Sequence, residues 1–336
     1  MLFSLKIFAL IYLILLLPGP LVAQDEPTYA EKMGWPRGSR VVIMHIDDAG
    51  MSYDSNLGAI KAMEEGVANS VSVMMPCPWV PHFVHFLQQH PQIDAGLHLT
   101  LTSEWKEYRW VPLSGKPSVP GLVDKEGALW PSVEEVVKNA TPDEVETEIK
   151  AQIERAKAMG FQPTHLDSHM GTLFASPAFL QRYLKAGLTN NIPVMFPGGH
   201  NTLIGKQTKA SESLLTSFRQ TGKMIWQSGL PVLDDLHNES YNWQLPAGMI
   251  KTKENIQKSK AQYYMDALKS LKPGITMVIM HCTKPTEVFP FISNSGTTRE
   301  GDLLAMLDPA LKAYIEKEGI ILTTWRELME RRQKIK

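Results

Sequence analysis

Short apolar runs recur along this 336-residue chain, and segments with helical periodicity separate most of them. Strands that alternate with helices in this way are typical of α/β proteins built on a parallel sheet. About seven such units in one chain predict a single distorted (β/α) barrel of about seven parallel strands. The predicted strands are Val41–Ile46, Ser70–Met75, Ile93–Leu99, Thr164–Leu166, Ile192–Phe196, Thr276–Met280 and Ile320–Thr323.

One helix between these runs has clear start and stop signals. Thr141–Glu144 combines a capping threonine, a proline at the first position and an acidic residue three positions on, and Gly160 ends the segment. We expect its apolar stripe to face the core. The stripe consists of Val145, Ile149, Ile153 and Ala156. Residues 105–132, rich in aromatic residues, proline and glycine, are instead expected to form an ordered irregular loop.

The first 23 residues have the pattern of a secretory signal. Lys6 precedes the apolar stretch Ile7–Leu17, which breaks at Pro18–Pro20 and is followed by Leu21–Ala23 before Gln24. We therefore expect a signal peptide at residues 1–23, one barrel domain at 24–336, and export to the periplasm or the extracellular space. The stretch is shorter than the roughly 20 residues that span a bilayer, so no membrane span is expected after its removal. An uncleaved anchor is the alternative, because Leu21 is not the small residue preferred near a cleavage site.

Charge and cysteine content exclude several function classes. The 34 basic and 35 acidic side chains give a net charge of −1 without a long run of either sign. Such a chain lacks the basic surface expected of a protein that binds nucleic acid or an anionic membrane. Two cysteines, Cys77 and Cys282, cannot form a disulfide framework or a cysteine-rich zinc site, although one bridge between them is conceivable in an exported protein. Length and charge leave the oligomeric state open.

Candidate metal ligands follow four of the apolar runs. Asp47 and Asp48 end the first run, and His98, His169 and His281 stand at or just beyond the ends of later ones. Because the carboxyl ends of parallel strands open into one crevice, these side chains are expected to converge. Successive strand residues point to opposite faces, so one aspartate can bind a metal while the other acts as a base. The alternative is that the aspartates cap the helix that follows.

The segment His165–His169 places a carboxylate between two imidazoles. In an extended chain His165, Asp167 and His169 share one face, and Asp167 can orient a metal-binding imidazole through its second nitrogen. Two buried, hydrogen-bonded histidines are the alternative. His45 could support Asp47 but stands inside an apolar run, and we interpret it as a core histidine.

Other polar and aromatic residues have weaker signals. Trp105 and Trp110 could offer flat faces to sugar rings, or they could pack beneath their own loop. Arg299 could pair with Asp47 and keep it ionised, or it could stand at the start of a helix. The acidic and imidazole groups of Asp234–His237 are interpreted as part of a loop.

The motif-bearing segments resemble the YdjC-like carbohydrate deacetylases, a family that includes chitooligosaccharide deacetylases and is similar in site plan to polysaccharide deacetylases. The matching segments are Ile46–Gly50 with Asn56 and Gly66, Ser70–Met74, Gly96–Thr100, Pro163–His169 and, more weakly, Met280–His281 and Thr298–Glu300. They cover most of the mature chain in the order found in the family.

The resemblance implies that Asp48, His98 and His169 bind a divalent metal, with Asp47 as the base and His281 as a candidate acid. A site with two histidines and one carboxylate leaves positions open, and a metal there can lower the pKa of bound water from 15.7 to about 7 and polarise an amide carbonyl. Mixed nitrogen and oxygen ligands suit zinc, magnesium, cobalt, manganese or nickel.

Two departures from the family pattern concern the substrate. Met170–Leu173 replaces the glutamine and further histidines that commonly follow the second metal histidine, and Ala49 replaces an aromatic residue. The predicted function is metal-dependent removal of acetyl groups from an N-acetylated sugar or oligosaccharide. The alternatives are a metal-dependent hydrolase of another amide or ester, and a non-catalytic carbohydrate-binding protein.

Overall fold

A curled sheet of seven parallel strands lies at the centre of the protein, whose computed structural model describes residues 26–335. The strands are β1 (Arg40–Ala49), β2 (Ser70–Val73), β3 (Ala95–Leu99), β4 (Leu166–Ser168), β5 (Asp235–His237), β6 (Gly274–Met280) and β7 (Ile321–Leu322). Their order is β4-β3-β2-β1-β6-β5, and β7 pairs with β1. The sheet forms a half-barrel, which confirms the predicted distorted (β/α) barrel class. The predicted signal peptide lies outside the described residues.

Helices connect and cover these strands. They are α1 (Tyr29–Lys32), α2 (Tyr53–Glu65), α3 (Val80–Gln89), α4 (Val133–Asn139), α5 (Pro142–Ala158), α6 (Pro177–Asn190), α7 (Thr202–Thr208), α8 (Glu212–Gln227), α9 (Lys253–Lys269), α10 (Gly296–Met306), α11 (Pro309–Lys317) and α12 (Trp325–Gln333). Short 3₁₀ turns occupy Pro120–Leu122, His169–Phe174, Ser240–Asn242 and Phe289–Phe291.

β1 is the central strand, and its sequence explains why. Residues 41–49 are all buried, so both faces of this strand are covered. β6 pairs with β1 over residues 40–46 on one side. On the other side β7 pairs with its first half and β2 with its second half. A strand with two apolar faces is stable only in such a central position.

A β-bulge lies at the carboxyl end of β1. Ile46 pairs with Val71 and Ala49 with Val73, so β1 holds one residue more than β2 between these pairs. Asp48 takes up the extra length with a φ of 67°, a left-handed conformation that is uncommon for a residue other than glycine. The bulge interrupts the alternation of side chains, so the expectation that Asp47 and Asp48 face opposite sides is wrong.

Two strand predictions are wrong. Residues 192–196 make only an isolated bridge between Val194 and Leu166. Leu166 is the one residue of β4 that exchanges backbone hydrogen bonds with this segment, so no continuous pairing forms. The segment Asp234–His237, expected to be a loop, contains β5, which pairs with β6. Asp235 also accepts hydrogen bonds from the amides of Leu203 and Ile204, and so holds the first turn of α7.

The helix and loop predictions for the middle of the chain are confirmed. Thr141 and Glu144 form the expected capping box of α5, and its four-residue apolar stripe is buried. Residues 105–132 are largely irregular but ordered, since Glu148 of α5 accepts hydrogen bonds from the amides of Leu113 and Ser114. The loop is thereby fixed to the helix that covers β3.

Cys77 and Cys282 are both buried and free, so the structure contains no bridge between them. Within residues 26–335, no helix combines the length and the apolar character needed to cross a membrane.

Candidate metal centre

A cavity of about 730 Å³ opens at the carboxyl ends of the strands. Asp47 and Asp48 reach it from the bulge of β1, and His98 reaches it from β3. His169 follows β4 directly and His281 follows β6. The structure therefore brings all five of the predicted metal-binding and catalytic side chains into one cavity. Asp47 and Asp48 do not cap the helix that follows them, since the side chain of Ser52 caps α2.

Asp48, His98 and His169 form a donor set that fits a divalent cation. Asp48 Oδ1 lies 3.4 Å from His98 Nε2 and 3.4 Å from His169 Nδ1. All three side chains are buried, and Asp48 Oδ1 accepts no hydrogen bond from any residue in the described range 26–335. A buried carboxylate oxygen without a partner is costly, and a divalent cation held between this oxygen and the two imidazole nitrogens would remove that cost.

Each of the two imidazoles is held at its other nitrogen by a carboxylate. His98 Nδ1 lies 2.6 Å from Asp167 Oδ1, and His169 Nε2 lies 3.1 Å from Glu104 Oε2. Such contacts fix the tautomer and the ring orientation that a metal ligand needs. Asp167 was predicted to orient an imidazole, whereas Glu104 was missed because it stands in the irregular loop without a motif around it.

His45 and His165 lie behind the cavity, in the core. His45 Nε2 is 3.0 Å from Asp167 Oδ2 and 3.2 Å from Asp47 Oδ1, so it is a core histidine that also contacts both carboxylates. Burial lowers the pKa of His45, but the two carboxylates outweigh this effect and raise it to about 9. His165 stacks on Trp325 and does not line the cavity, so it has the position of the buried histidine that was considered as the alternative for this segment. Its ring, 3.7 Å from Asp167 Oδ2, packs beneath the site.

Arg299 pairs with Asp48 and not with Asp47 as considered from the sequence. Its Nη2 donates a 2.6 Å hydrogen bond to Asp48 Oδ2, and both side chains are buried. Burial raises the pKa of Asp48, but the charge of Arg299 and the nearby imidazoles outweigh it and hold that pKa well below its usual range. Asp48 is thus an anion with one oxygen on Arg299 and the other free to bind a cation.

Asp47 and His281 lie together on the other side of the donor set. Asp47 Oδ2 is 3.7 Å from His98 Nε2 and 3.9 Å from His281 Nε2. The Nδ1 of His281 contacts the hydroxyl of Ser240 at 3.0 Å, and its amide donates to Asp302. These contacts direct Nε2 of His281 towards Asp47 and the cavity.

The two tryptophans differ in exposure to the cavity. Trp105 lines it and lies against the guanidinium of Arg299, with 5.8 Å from Arg299 Cζ to the ring centroid. Trp110 is buried, and its indole nitrogen donates to the carbonyl of Thr102. For Trp110 the geometry agrees with the second of the two roles considered, packing beneath its own loop.

Comparison with known proteins gives a consistent set of relatives. A family model described as YdjC-like protein matches residues 41–317. A carbohydrate deacetylase of Brevibacillus brevis is 34% identical over 180 residues, which are 52% of this chain and 66% of that protein, just under two thirds of its length. A carbohydrate deacetylase of Thermus thermophilus is 29% identical over 298 residues, which are 87% of this chain and 95% of that protein.

A chitooligosaccharide deacetylase of Serratia marcescens matches a shorter part, with 31% identity over 137 residues that cover 39% of this chain and 49% of that protein. Among solved structures, a proposed cellobiose-phosphate cleavage protein of Enterococcus faecalis V583 is similar in fold. It has 20% sequence identity and a TM-score of 0.67, with 86% of this chain and 99% of that chain covered.

Proposed function

The chain belongs to the YdjC-like family, and on that premise we propose that it is a metal-dependent hydrolase that removes acetyl groups from an N-acetylated sugar or oligosaccharide. The observation that carries the proposal is the unpartnered Oδ1 of Asp48 between His98 and His169. Several relatives are named carbohydrate or chitooligosaccharide deacetylases, which supports the same substrate class.

The cation would be held by Asp48, His98 and His169. When bound, a divalent metal makes water more acidic and polarises an amide carbonyl, and zinc, magnesium, cobalt, manganese and nickel all suit this ligand set. Asp167 and Glu104 keep the two imidazoles in orientation, and Arg299 keeps Asp48 ionised.

Two further side chains of the cavity serve proton transfer in this proposal. Asp47 accepts the proton of the attacking water on its carboxylate. His281 Nε2, 3.9 Å from Asp47 Oδ2, donates a proton to the departing amine. General acid and base groups of this kind contribute about 10²–10⁴-fold each to rate.

The test is acetate release from N-acetylglucosamine oligomers by protein that has been stripped of metal and then supplied with single divalent ions. We expect no release from the stripped protein and restored release with at least one ion. His169→Ala is expected to abolish both metal binding and release while the fold persists. His90→Ala serves as the matched control, since the half-buried side chain of His90 does not line the cavity. Wild-type turnover by His169→Ala would overturn the assignment.

Substrate profiling separates the proposal from its rivals. Release of another acid or alcohol from other acyl compounds, without acetate from sugars, would favour hydrolysis of a different amide or ester. Metal-dependent binding of acetylated sugars without turnover of any of them would favour a binding protein.

We also propose that the chain is exported, on the basis of the signal-like pattern of residues 1–23. Amino-terminal sequencing of the protein purified from its native cell envelope is expected to begin near Gln24. Recovery of the intact amino terminus in the cytosol would contradict export.

A further inference from the structure

The cavity at the metal centre has an apolar part that deacetylation of a sugar does not require. Its wall there is formed by side chains from the turn after β4, from the segment that bridges β4 and β5, and from α7, α8 and β5. These side chains include Phe174, Met195, Ile204, Leu215, Phe218 and Leu236. None of these six side chains carries a nitrogen or oxygen atom that could bond to a hydroxyl group.

Several polar groups of the cavity surround the donor set. The donor set is flanked by Arg299, which is bonded to Asp48, and by Ser293–Ser295 just before α10. The apolar part begins on the side of His169, since Met170 and Phe174 follow that ligand in the same 3₁₀ turn. The donor set therefore stands between a polar part and an apolar part of one cavity.

The apolar part is unsuited to further sugar rings. Each hydroxyl buried there would lose its hydrogen bonds to water without gaining a partner, which disfavours binding. The aromatic rings are also engaged with each other, because Phe218 packs against Phe196 and Phe174 with centroid distances of 5.2 and 6.5 Å. The whole cavity, at about 730 Å³, is within the range of roughly 300–1,000 Å³ typical of pockets for drug-sized ligands, so it has room for a group larger than acetyl beside the sugar.

We infer that the substrate is an amphiphile, in which an acylated sugar occupies the polar part at the donor set and a covalently attached aliphatic chain occupies the apolar part. The inference deepens the proposed function, and it rests on that function for the position of the sugar amide at the metal. The chain has two possible points of attachment, as an acyl group longer than acetyl on the sugar nitrogen or as an alkyl group on the anomeric oxygen.

The rim of the cavity agrees with an aliphatic chain. Leu214 on α8 and Met170 both line the cavity, yet 46% and 48% of their surface is exposed. Apolar side chains at an opening of this kind are typical of sites that receive apolar ligands.

The experiment compares two substrate series on the metal-loaded full chain. One series varies the N-acyl group of glucosamine from acetyl to octanoyl, and the other varies the alkyl group of N-acetylglucosamine β-glycosides from methyl to octyl. Each buried methylene is expected to raise kcat/KM about 3- to 4-fold over the first few carbons. A rise in one series supports the inference and identifies the point of attachment, whereas flat or falling values in both series overturn it.

Variants separate the apolar part from the catalytic groups. Thr208 is an exposed residue of α7 that lines the cavity, so Thr208→Trp should narrow the apolar part without replacing a core side chain. It is expected to abolish the chain-length dependence while turnover of the shortest substrate persists. Thr216→Trp, at an exposed position of α8 outside the cavity lining, is the matched control and should keep the dependence.

A binding measurement distinguishes failure of this inference from failure of the proposed function. Octyl β-glucoside has no amide, so its binding below its micelle concentration does not depend on deacetylation. Calorimetry is expected to show that it binds at least 10-fold more tightly than methyl β-glucoside to the wild type and to Thr216→Trp, but not to Thr208→Trp. Equal affinities for the two glucosides in the wild type, together with an N-acyl series that does not rise, would overturn the inference even if deacetylation of N-acetylglucosamine is confirmed.

Discussion

Glu104 shows how much the metal centre depends on a residue outside the ligand set. Its carboxylate lies 3.1 Å from His169 Nε2 and holds that ring with Nδ1 towards Asp48. We predict that Glu104→Ala weakens zinc binding about 10- to 100-fold, the usual effect of losing such a support. Competition with a chelating dye measures the affinity.

Glu107→Ala is the matched control, because Glu107 belongs to the same loop but its side chain is 69% exposed. Its zinc affinity is expected to equal that of the wild type. Unchanged zinc affinity of Glu104→Ala would show that the contact with His169 does not support the site.

The ligand residues could be predicted because each stands at a strand end, where the fold class itself determines the direction of the side chain. The contacts that support these ligands could not be predicted from the sequence. Glu104 is 65 residues from His169 along the chain, and Arg299 is 251 residues from Asp48. Contacts of this kind depend on how loops and helices pack over the sheet, and no local pattern records that packing.

At the level of strands, the sequence predicted the long apolar runs better than the short polar one. β5 has three residues, two of them polar, and becomes a strand only because β6 provides its partner. The bulge in β1 was missed for a related reason. Asp48 has a left-handed backbone because β1 and β2 differ by one residue in register, and that difference arises from pairing between strands.

Gly96 in β3 allows the His165 ring to pack against the strand. A Cβ at position 96 would lie 2.5 Å from two atoms of that ring. The ring cannot retreat easily, because it stacks on Trp325 on one side and meets His45 on another. We predict that Gly96→Ala lowers the free energy of unfolding by about 1–3 kcal/mol through overpacking, measured by denaturant unfolding.

Gly301→Ala provides the comparison for this prediction. A Cβ at position 301 would lie 3.3 Å or more from its neighbours, and the nearest atoms belong to the side chains of Ile256 and Lys260. Alanine also favours a helix interior over glycine. A loss of stability in Gly301→Ala equal to that in Gly96→Ala would show that the close approach to His165 is not the cause.

Glu146 on α5 links that helix to α6 and makes the link dependent on pH. Its carboxylate contacts Lys150, Lys185 and Arg182 at 2.7–2.9 Å. The hydrogen bonds from Lys150 and Lys185 lower the pKa of Glu146 to about 2. Because this pKa lies below the ordinary 4.5, the stabilisation is complete above about pH 4.5 and is lost as the pH falls towards 2.

We predict that Glu146→Gln lowers the free energy of unfolding by about 1 kcal/mol or less at pH 7, since the pairs are near the surface. The difference from the wild type should shrink below pH 4.5 and vanish near pH 2, as followed by urea unfolding at a series of pH values. Glu154→Gln, at an exposed position of the same helix, should show no such trend. A difference that stays constant with pH would exclude the ion pairs as its origin.

The open sheet gives the whole molecule a dependence on its metal centre. The strand order β4-β3-β2-β1-β6-β5 leaves β4 and β5 as ends. Within residues 26–335, the segment between them makes only isolated bridges, from Val194 to Leu166 of β4 and from Pro197 to Leu233 just before β5. The three proposed ligands come from β1, from β3 and from the turn after β4. A bound cation would therefore connect one end of the half-barrel to its central strand.

Metal binding should consequently stabilise the entire fold. At a free metal concentration 100 times Kd, we predict a gain of about 2.7 kcal/mol in the free energy of unfolding, which raises Tm by several degrees in a calorimetric scan. Asp48→Asn should show no such gain. The quantity compared is the change in the free energy of unfolding on adding metal, so the stability of the variant without metal does not affect the result. His90→Ala should retain it. An equal increment in Asp48→Asn and in the wild type would mean that the stabilising cation binds elsewhere, and the donor set would then have to be reassigned.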